Sequence, residues 1–352
     1  MTAVLAYTAT TLIYFALDIM SCWAMNLQYG LTGVYNLGFI LFEAIGGYTA
    51  AVMSLGPPSQ SGGFQQYIGG YRFPFPIPII AGGLAAGAAA LLIGVVVLRR
   101  LEADYQAVVL LTLSVMAAVF VTGDVSFLNG PTGVSLIPQP LSSALNLSSL
   151  GYSWVFAGVC AGFCGLTYLI IHRITSSPLG RALRAVRESP AAASALGKNV
   201  NGLRLFSFVV GGVIAGVSGA LLASYIGAWA PSSWAYAETF LVLAAVIIGG
   251  TGNDAGAVLG AALVPVLFTQ GTAFLPTFGG APQVTAAMQW VVTGLAVLAV
   301  IYFWPKGILP ERRRRFAQVP PVGMGGVAEE PGWAVEAGSA GSSEGRRGAV
   351  SG

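Results

Sequence analysis

Two acids stand where acids are costly. Asp18 lies mid-way along the apolar run 7–27, and Glu43 lies mid-way along the run 31–55. A charge at the centre of a bilayer costs about 2.5–3.5 kcal/mol on insertion scales, so side chains of this kind face a protein interior. Placed there, a carboxylate can pair with a cationic group or pass a proton. It can equally be a protonated or hydrogen-bonded packing residue beside Ser and Thr. Residue types alone leave both readings open.

Other reactive groups are few. His172, the single histidine, ends an apolar run beside Arg173 and reads as an interfacial side chain. Cys22, Cys160 and Cys164 all sit inside apolar runs. Cys160 and Cys164 share one helix face but have no His or acidic partners nearby in the sequence, so they read as small apolar fillers. Paired acids, a Ser–His arrangement and a metal-ligand cluster are all missing from the pattern. No catalytic residue, no metal and no enzymatic activity are expected. The sequence G-x-x-x-x-G-K-[ST] does not occur, and Gly197-Lys198-Asn199 lacks both its upstream Gly and its following Ser or Thr. No nucleotide cofactor is therefore expected on this chain.

The elements that must position these residues are set by charge. Twelve of the 29 charged residues lie in the last 48 positions, leaving 17 for the first 304. Soluble globular chains carry about one charge in four residues. Mean hydropathy is +0.76. Stretches such as 77–98 and 205–226 are long enough to cross the ~30 Å hydrocarbon core as helices. The expected fold class is all-α, a polytopic transmembrane helix bundle. Nine apolar segments can be marked, at 7–27, 31–55, 77–98, 105–123, 152–171, 205–226, 238–250, 255–275 and 287–304. The seventh is short enough to be re-entrant. The residues Met1–Tyr7 lack a basic region and no small-residue cleavage site follows, so the first run is expected to be a membrane helix and not a signal peptide.

Cytoplasmic loops hold the Lys and Arg excess. Threading nine segments alternately puts 15 of the 16 cations on one side and only Arg72 on the other. That predicts an external N-terminus, a cytoplasmic C-terminus and a plasma (cell inner) membrane location. Residues 1–316 read as the membrane domain, with a cytoplasmic loop over 172–204. Residues 317–352, rich in Gly, Ser and Glu, read as a disordered cytoplasmic tail. The external gaps 56–76 and 124–151 are rich in Gly and Pro and read as irregular surface loops.

The cytoplasmic loop carries the clearest local pattern. Ser177-Pro178 is a helix start, with Ser as the cap and Pro in the first turn. Leu179, Leu183 and Val186 form an apolar stripe; Arg181, Arg184, Arg187 and Glu188 lie on the other side, and Gly180 falls in the first turn. Ser189-Pro190 starts a second short helix that Gly197 ends. Such a pair either lies on anionic lipid or docks on a cytoplasmic partner. For docking, the stripe enters a cleft and the charges form its rim. Gly252, Gly256 and Gly260 recur every four residues and permit close helix packing. The run Gly249-Gly250-Thr251-Gly252-Asn253-Asp254 interrupts a helix, with Asp254 expected to cap the next one. Broken helices in transporters expose backbone where a pathway needs it.

The loop 177–188, with Ala195-Leu196-Gly197 after it, resembles the cytoplasmic loop of LivM-type permeases, the membrane subunits of ABC importers for branched-chain amino acids. The similarity continues through 215–221, 248–252 and 256–261, and the runs 26–33, 36–38 and 46–50 look like that family's N-terminal signature. Residues 129–134 and 137–138 resemble its external loop. Phe39 stands where the family usually has His or Gln, and Glu43 where it has an apolar residue. The resemblance implies translocation by alternating access, driven by ATP hydrolysed on partner subunits. It implies a second permease, two ATP-binding cassette subunits and an extracellular substrate-binding protein as partners, in contact with membrane lipid and with no nucleic acid. The loop 172–204 becomes the ATPase-coupling element. Asn36, Glu43, Tyr48, Thr251 and Asn253 become the candidate substrate pathway. Urea and short-amide permeases share similar motifs, and a stand-alone ion-coupled transporter using Asp18 and Glu43 is the alternative from another class.

Overall fold

A computed structural model describes residues 2–58, 64–141, 148–264, 291, 294–295, 298–299, 302–303 and 307–311. The expectations for 317–352, for most of segment 287–304 and for the end of segment 255–275 lie outside these residues.

The bundle is helical throughout. Helix α1 spans Thr2–Met25 and runs into a π-helical turn, Asn26–Leu31. After a break, α2 covers Phe39–Ser54. Helices α3 (Ile77–Arg100) and α4 (Ala103–Gly123) follow, then the single turn α5 (Val125–Leu128). Helix α6 (Ser149–Ser176) leads to the two short loop helices α7 (Pro178–Glu188) and α8 (Pro190–Ala195). Helix α9 spans Val200–Ile226, α10 Tyr236–Gly249 and α11 Asp254–Ala261. Among the described residues, six helical stretches are long and apolar enough to cross a membrane.

Two expected segments change shape. The run 31–55 is not one helix: the backbone breaks over 32–38 and α2 holds only 16 residues, about 24 Å of helix. Gly33 supplies the break with a positive φ of 72°. The short segment 238–250 is extended by a 3-10 turn ahead of it into a stretch of 19 residues, Pro231–Gly249.

Helices α2, α3 and α9 pack mutually, and α1 packs on α6, α9, α10 and α11. Close approach explains the centre. A side chain at Gly46 of α2 would land on the Gly216 backbone of α9. One at Gly216 would meet Gly82 O at 2.9 Å and the Ala86 methyl. Helices that meet backbone to backbone gain dispersion contacts along their length, the main attraction available where lipid is as apolar as the side chains. Phe42, Phe208, Met20, Leu27 and Leu31 fill the space between. The outer faces of α4 and α6 expose Val108, Met116, Val119, Phe120, Leu166 and Leu169, as lipid-facing helices do.

The described parts of the Gly- and Pro-rich gaps are largely irregular, as expected, but they also contribute to a core. Val134–Ser135 (β1) pairs antiparallel with Ala228–Trp229 (β2), and Tyr67 bridges to Leu128. Together with Tyr48, Ile137 and Trp234 these residues bury a second apolar core at this end of the bundle. Asp124 caps α5, accepting from Ser126 N at 2.9 Å and Ser126 Oγ at 2.5 Å. Those bonds hold its carboxyl below the usual carboxylate range.

Candidate coupling site and substrate path

The loop helices form where expected, with one local correction. Pro178 opens α7, but Ser177 does not cap it: its Oγ donates to Ile174 O at 2.8 Å. Ser189 does cap α8, accepting from Ala192 N at 3.2 Å. Gly197 follows with φ 73°.

The orientation of α7 differs from expectation. Leu183 and Val186 are fully buried within this chain, and Gly180 sits against the Thr175 and Ile174 carbonyls. Leu179 packs partly on the same core. The apolar stripe therefore seats α7 on the bundle and is not presented to a partner. Periodicity fixes which residues share a face but not which body covers that face. Arg184 and Arg187 also turn inward. Arg184 Nε lies 2.8 Å from Glu311 Oε1, and Arg187 Nη2 lies 2.6 Å from Glu311 Oε2. Arg187 Nη1 donates to the carbonyl of Gly30 in the π-helical turn. What α7 and α8 expose is Arg181, Ala185 and Glu188, then Ala191, Ala192, Ala195 and Leu196, the last at 80%. A groove of about 550 Å³ opens beside them, lined by Pro178, Leu179, Lys198 and Leu203 among others.

The interruption at 250–253 packs beneath α7. Gly250 and Gly252 hold φ of 119° and 78°. Gly252 N donates to Asn26 Oδ1 at 2.8 Å. A Cβ at Gly252 would lie 2.8 Å from Glu311 Oε2 and 2.9 Å from Arg187 Nη1. Gly252 thus serves the break and not a helix face; Gly256 and Gly260 do line α11, against the Gly249 and Ala245 carbonyls of α10. Asn253, not Asp254, caps α11: its Oδ1 accepts from Ala255 N at 3.1 Å, while its Nδ2 donates to Leu309 O at 3.2 Å. Asp254 instead accepts from Thr175 Oγ1 at 2.9 Å, and its carbonyl accepts from Trp23 Nε1 at 2.9 Å. Ile308 N and Leu309 N donate to Ile248 O and Gly249 O. The ends of α1, α6 and α10, the start of α11 and the segment 307–311 are thus stitched together.

The path candidates do not meet in one pocket. Asn36 is buried at the 32–38 break, donating to Gln28 Oε1 at 2.9 Å, and Gln28 Nε2 donates to Phe208 O at 3.0 Å. Glu43 accepts from Ser21 Oγ at 2.5 Å, and Ser21 lies 3.2 Å from Ser218 Oγ. Tyr48 belongs to the second core, against Trp234. Thr251 and Asn253 belong to the stitched end. These residues follow the length of the bundle, and Glu43 lines neither described cavity. The larger cavity, about 650 Å³, lies at the opposite end, among Gln65, Arg72, Gln139 and Ser54.

Three residues were missed from sequence. Glu238 lies within electrostatic range of Asp18 and Glu43; as an acid in the first turn of a helix it gave no signal beyond its end-of-segment position. Gln28 lay inside the signature run, unremarked. Glu311 was overlooked beside four consecutive arginines, although it is the first acid after the last apolar segment.

The family described as "Branched-chain amino acid transport system / permease component" matches residues 7–301 of this chain. The chain belongs to that family. Over 324 residues it is 30% identical to the high-affinity branched-chain amino acid transport system permease protein LivM of Escherichia coli K12, covering 86% of this chain and 69% of that protein. Its similarity to the probable LivM permease of Methanocaldococcus jannaschii is 25% over 331 residues, or 86% and 92% of the two chains. The LivH permease of Salmonella typhimurium is 30% identical over 136 residues, 39% of this chain and 41% of that one. No solved structure matches. A multi-pass membrane permease is what both the branched-chain permease family and the six apolar helices show.

Proposed function

We propose that this chain is one permease subunit of an ABC importer that carries branched-chain or related amino acids inward, using ATP hydrolysed by two partner cassettes. A second permease and an extracellular binding protein complete the assembly. Residues 1–316 act as the membrane domain and 172–204 as the ATPase-coupling loop. The carrying observation is the pair α7–α8. It is a knuckle seated on the bundle by Leu183 and Val186, which leaves an Ala-rich surface with Ser194 and Leu196, flanked by Arg181, Glu188 and Lys198, exposed. A small apolar patch with charges at its rim suits a cytoplasmic partner. The substrate path follows Asn36, Glu43 and Tyr48 and ends at Thr251 and Asn253. The carboxyl groups of Asp18, Glu43 and Glu238 are the acceptors that this path offers a cationic amino group.

Reconstitution of the full complex in vesicles tests the substrate class. ATP inside the compartment corresponding to the cytoplasm, with binding protein on the other side, is expected to drive leucine or isoleucine uptake above any uptake of urea or acetamide. Uptake of urea alone replaces the substrate class. Uptake driven by a proton gradient without ATP replaces the mechanism.

Sidedness has its own test. The second core groups Tyr67, Leu128 and Trp229 at one end of the bundle, and the cation-rich loops lie at the other. In a variant lacking Cys22, Cys160 and Cys164, an impermeant maleimide on intact cells is expected to label Leu136→Cys, whose parent side chain is 73% exposed. It is expected to miss Glu102→Cys until the cells are opened. The reverse pattern inverts the chain in the membrane.

A further inference from the structure

We infer that Glu311 is the positioning residue that locks α7 to the moving parts of the bundle. This rests on the reading of α7–α8 as the coupling element.

A helix that passes force must not roll on its seat. The apolar stripe of Leu183 and Val186 resists lifting of α7, but apolar contact is non-directional and resists rotation weakly. Charged contacts on one side of α7 supply the rest, an ion pair at Arg184 and an ion pair that is also a hydrogen bond at Arg187. Glu311 presents one carboxylate oxygen to Arg184 at 2.8 Å and the other to Arg187 at 2.6 Å. Arg184 and Arg187 are three residues apart and so share one side of α7. A carboxylate bridging both fixes the roll of the helix about its axis. The guanidinium of Arg187 is also held by the Gly30 carbonyl, so its fork ties α7 to two segments at once. A guanidinium does this through its planar set of donors, which an ammonium lacks.

The anchor points are departures from regular helix. Gly30 lies in the π-helical turn at the end of α1, a departure from α geometry that often marks functional sites. Glu311 follows the segment whose Ile308 and Leu309 pair with the last residues of α10. Gly252, in the break between α10 and α11, has Glu311 Oε2 and Arg187 Nη1 where a Cβ would stand, so the break closes directly on the ion pairs. The three charged side chains are only partly exposed, with side-chain accessibilities of 20–32%. Displacement of α7 by a partner is therefore delivered to the turn ending α1 through Arg187 and to the α10–α11 break through Glu311, whose carboxylate holds Arg187 in place.

The test uses the whole purified complex in vesicles, and reads substrate moved per ATP hydrolysed. Glu311→Gln is expected to lower that ratio at least tenfold while the ATPase still co-purifies and hydrolysis without substrate persists. A merely structural defect lowers uptake, hydrolysis and yield together and leaves the ratio in place. Glu311→Asp keeps the charge on a shorter arm and is expected to fall between. Glu311→Gln combined with Arg184→Gln is expected to be little worse than Glu311→Gln alone, because both remove the same ion pair. Should Glu311→Gln fail to accumulate, Arg187→Lys serves, since a point charge cannot hold Gly30 and Glu311 together; the same loss of ratio is expected. A parental ratio in Glu311→Gln or in Arg187→Lys overturns the inference. The coupling reading itself fails on a separate measurement: co-purification of the ATPase with a permease carrying Glu at Ala192 and Ala195.

Discussion

Ala192→Glu combined with Ala195→Glu is expected to strip the ATPase subunits from the permease. Both positions lie on the exposed side of α8, and neither takes part in seating the loop. Two carboxylates brought into an apolar contact without partners each cost several kcal/mol. A loss of only about 3 kcal/mol already weakens association roughly a hundredfold. The measurement is the ATPase retained when the permease pair is purified through a tag on this chain, with the second permease as the folding control. Full retention, with normal uptake, would leave α7 and α8 lying on lipid. Arg184 and Arg187 are poor choices for this test, because they face Glu311 and their loss disturbs the bundle itself.

Gly216→Leu is expected to be strongly damaging to the membrane domain. The added side chain has no free volume: Gly82 O stands 2.9 Å from where its Cβ would be, with the Ala86 methyl and the Gly83 backbone beside it. Overfilling a packed core typically costs about 1–3 kcal/mol, and here the obstacles include main chain, which cannot rotate away. The expected result is a large fall in the amount of folded protein and in its unfolding temperature in detergent. Gly162→Leu in the isolated chain is the control. Nothing lies within 4 Å of a Cβ there, and Leu is a better helix former than Gly by up to about 1 kcal/mol. If both variants melt with the parent, the close crossing of α3 and α9 is not what holds the bundle.

The membrane bundle was legible because charge is a coarse signal that survives any detail of packing. The loop helices were legible because Pro178, Pro190 and Gly197 punctuate them and because Leu183 and Val186 recur at helical spacing. The direction α7 faces was not legible. A stripe that seats a helix on its own chain and a stripe that enters a partner obey the same spacing, and only the third dimension separates them. Ser177 and Asp254 failed as caps for a related reason. Each found another partner: Ser177 the carbonyl of Ile174 in the preceding turn, a local competitor to capping, and Asp254 the distant Thr175 Oγ1. The core to which the gaps over 64–76 and 124–141 contribute was not legible because it is assembled from Tyr48, Leu128, Val134 and Trp229, residues far apart in the chain. Glu238 joined Asp18 and Glu43 by the same long-range route.

The two ends of the bundle are closed by different forces, and this gives each a separate thermodynamic signature. The end carrying β1 and β2 is sealed by aromatic and aliphatic side chains, with Trp229 and Trp234 almost wholly buried. Opening it exposes apolar surface to water, so the step carries a positive heat-capacity change and grows easier on cooling. The opposite end is also seated by Leu183 and Val186, but what sets it apart is the group of ionic contacts among Arg184, Arg187 and Glu311, with backbone carbonyls as further acceptors. Water replaces those contacts at little heat-capacity cost, and dissolved ions screen them. Cold therefore favours the state open at the aromatic end, and high ionic strength favours the state open at the arginine end. One transporter thus has two independent handles, temperature and salt, on its resting conformation.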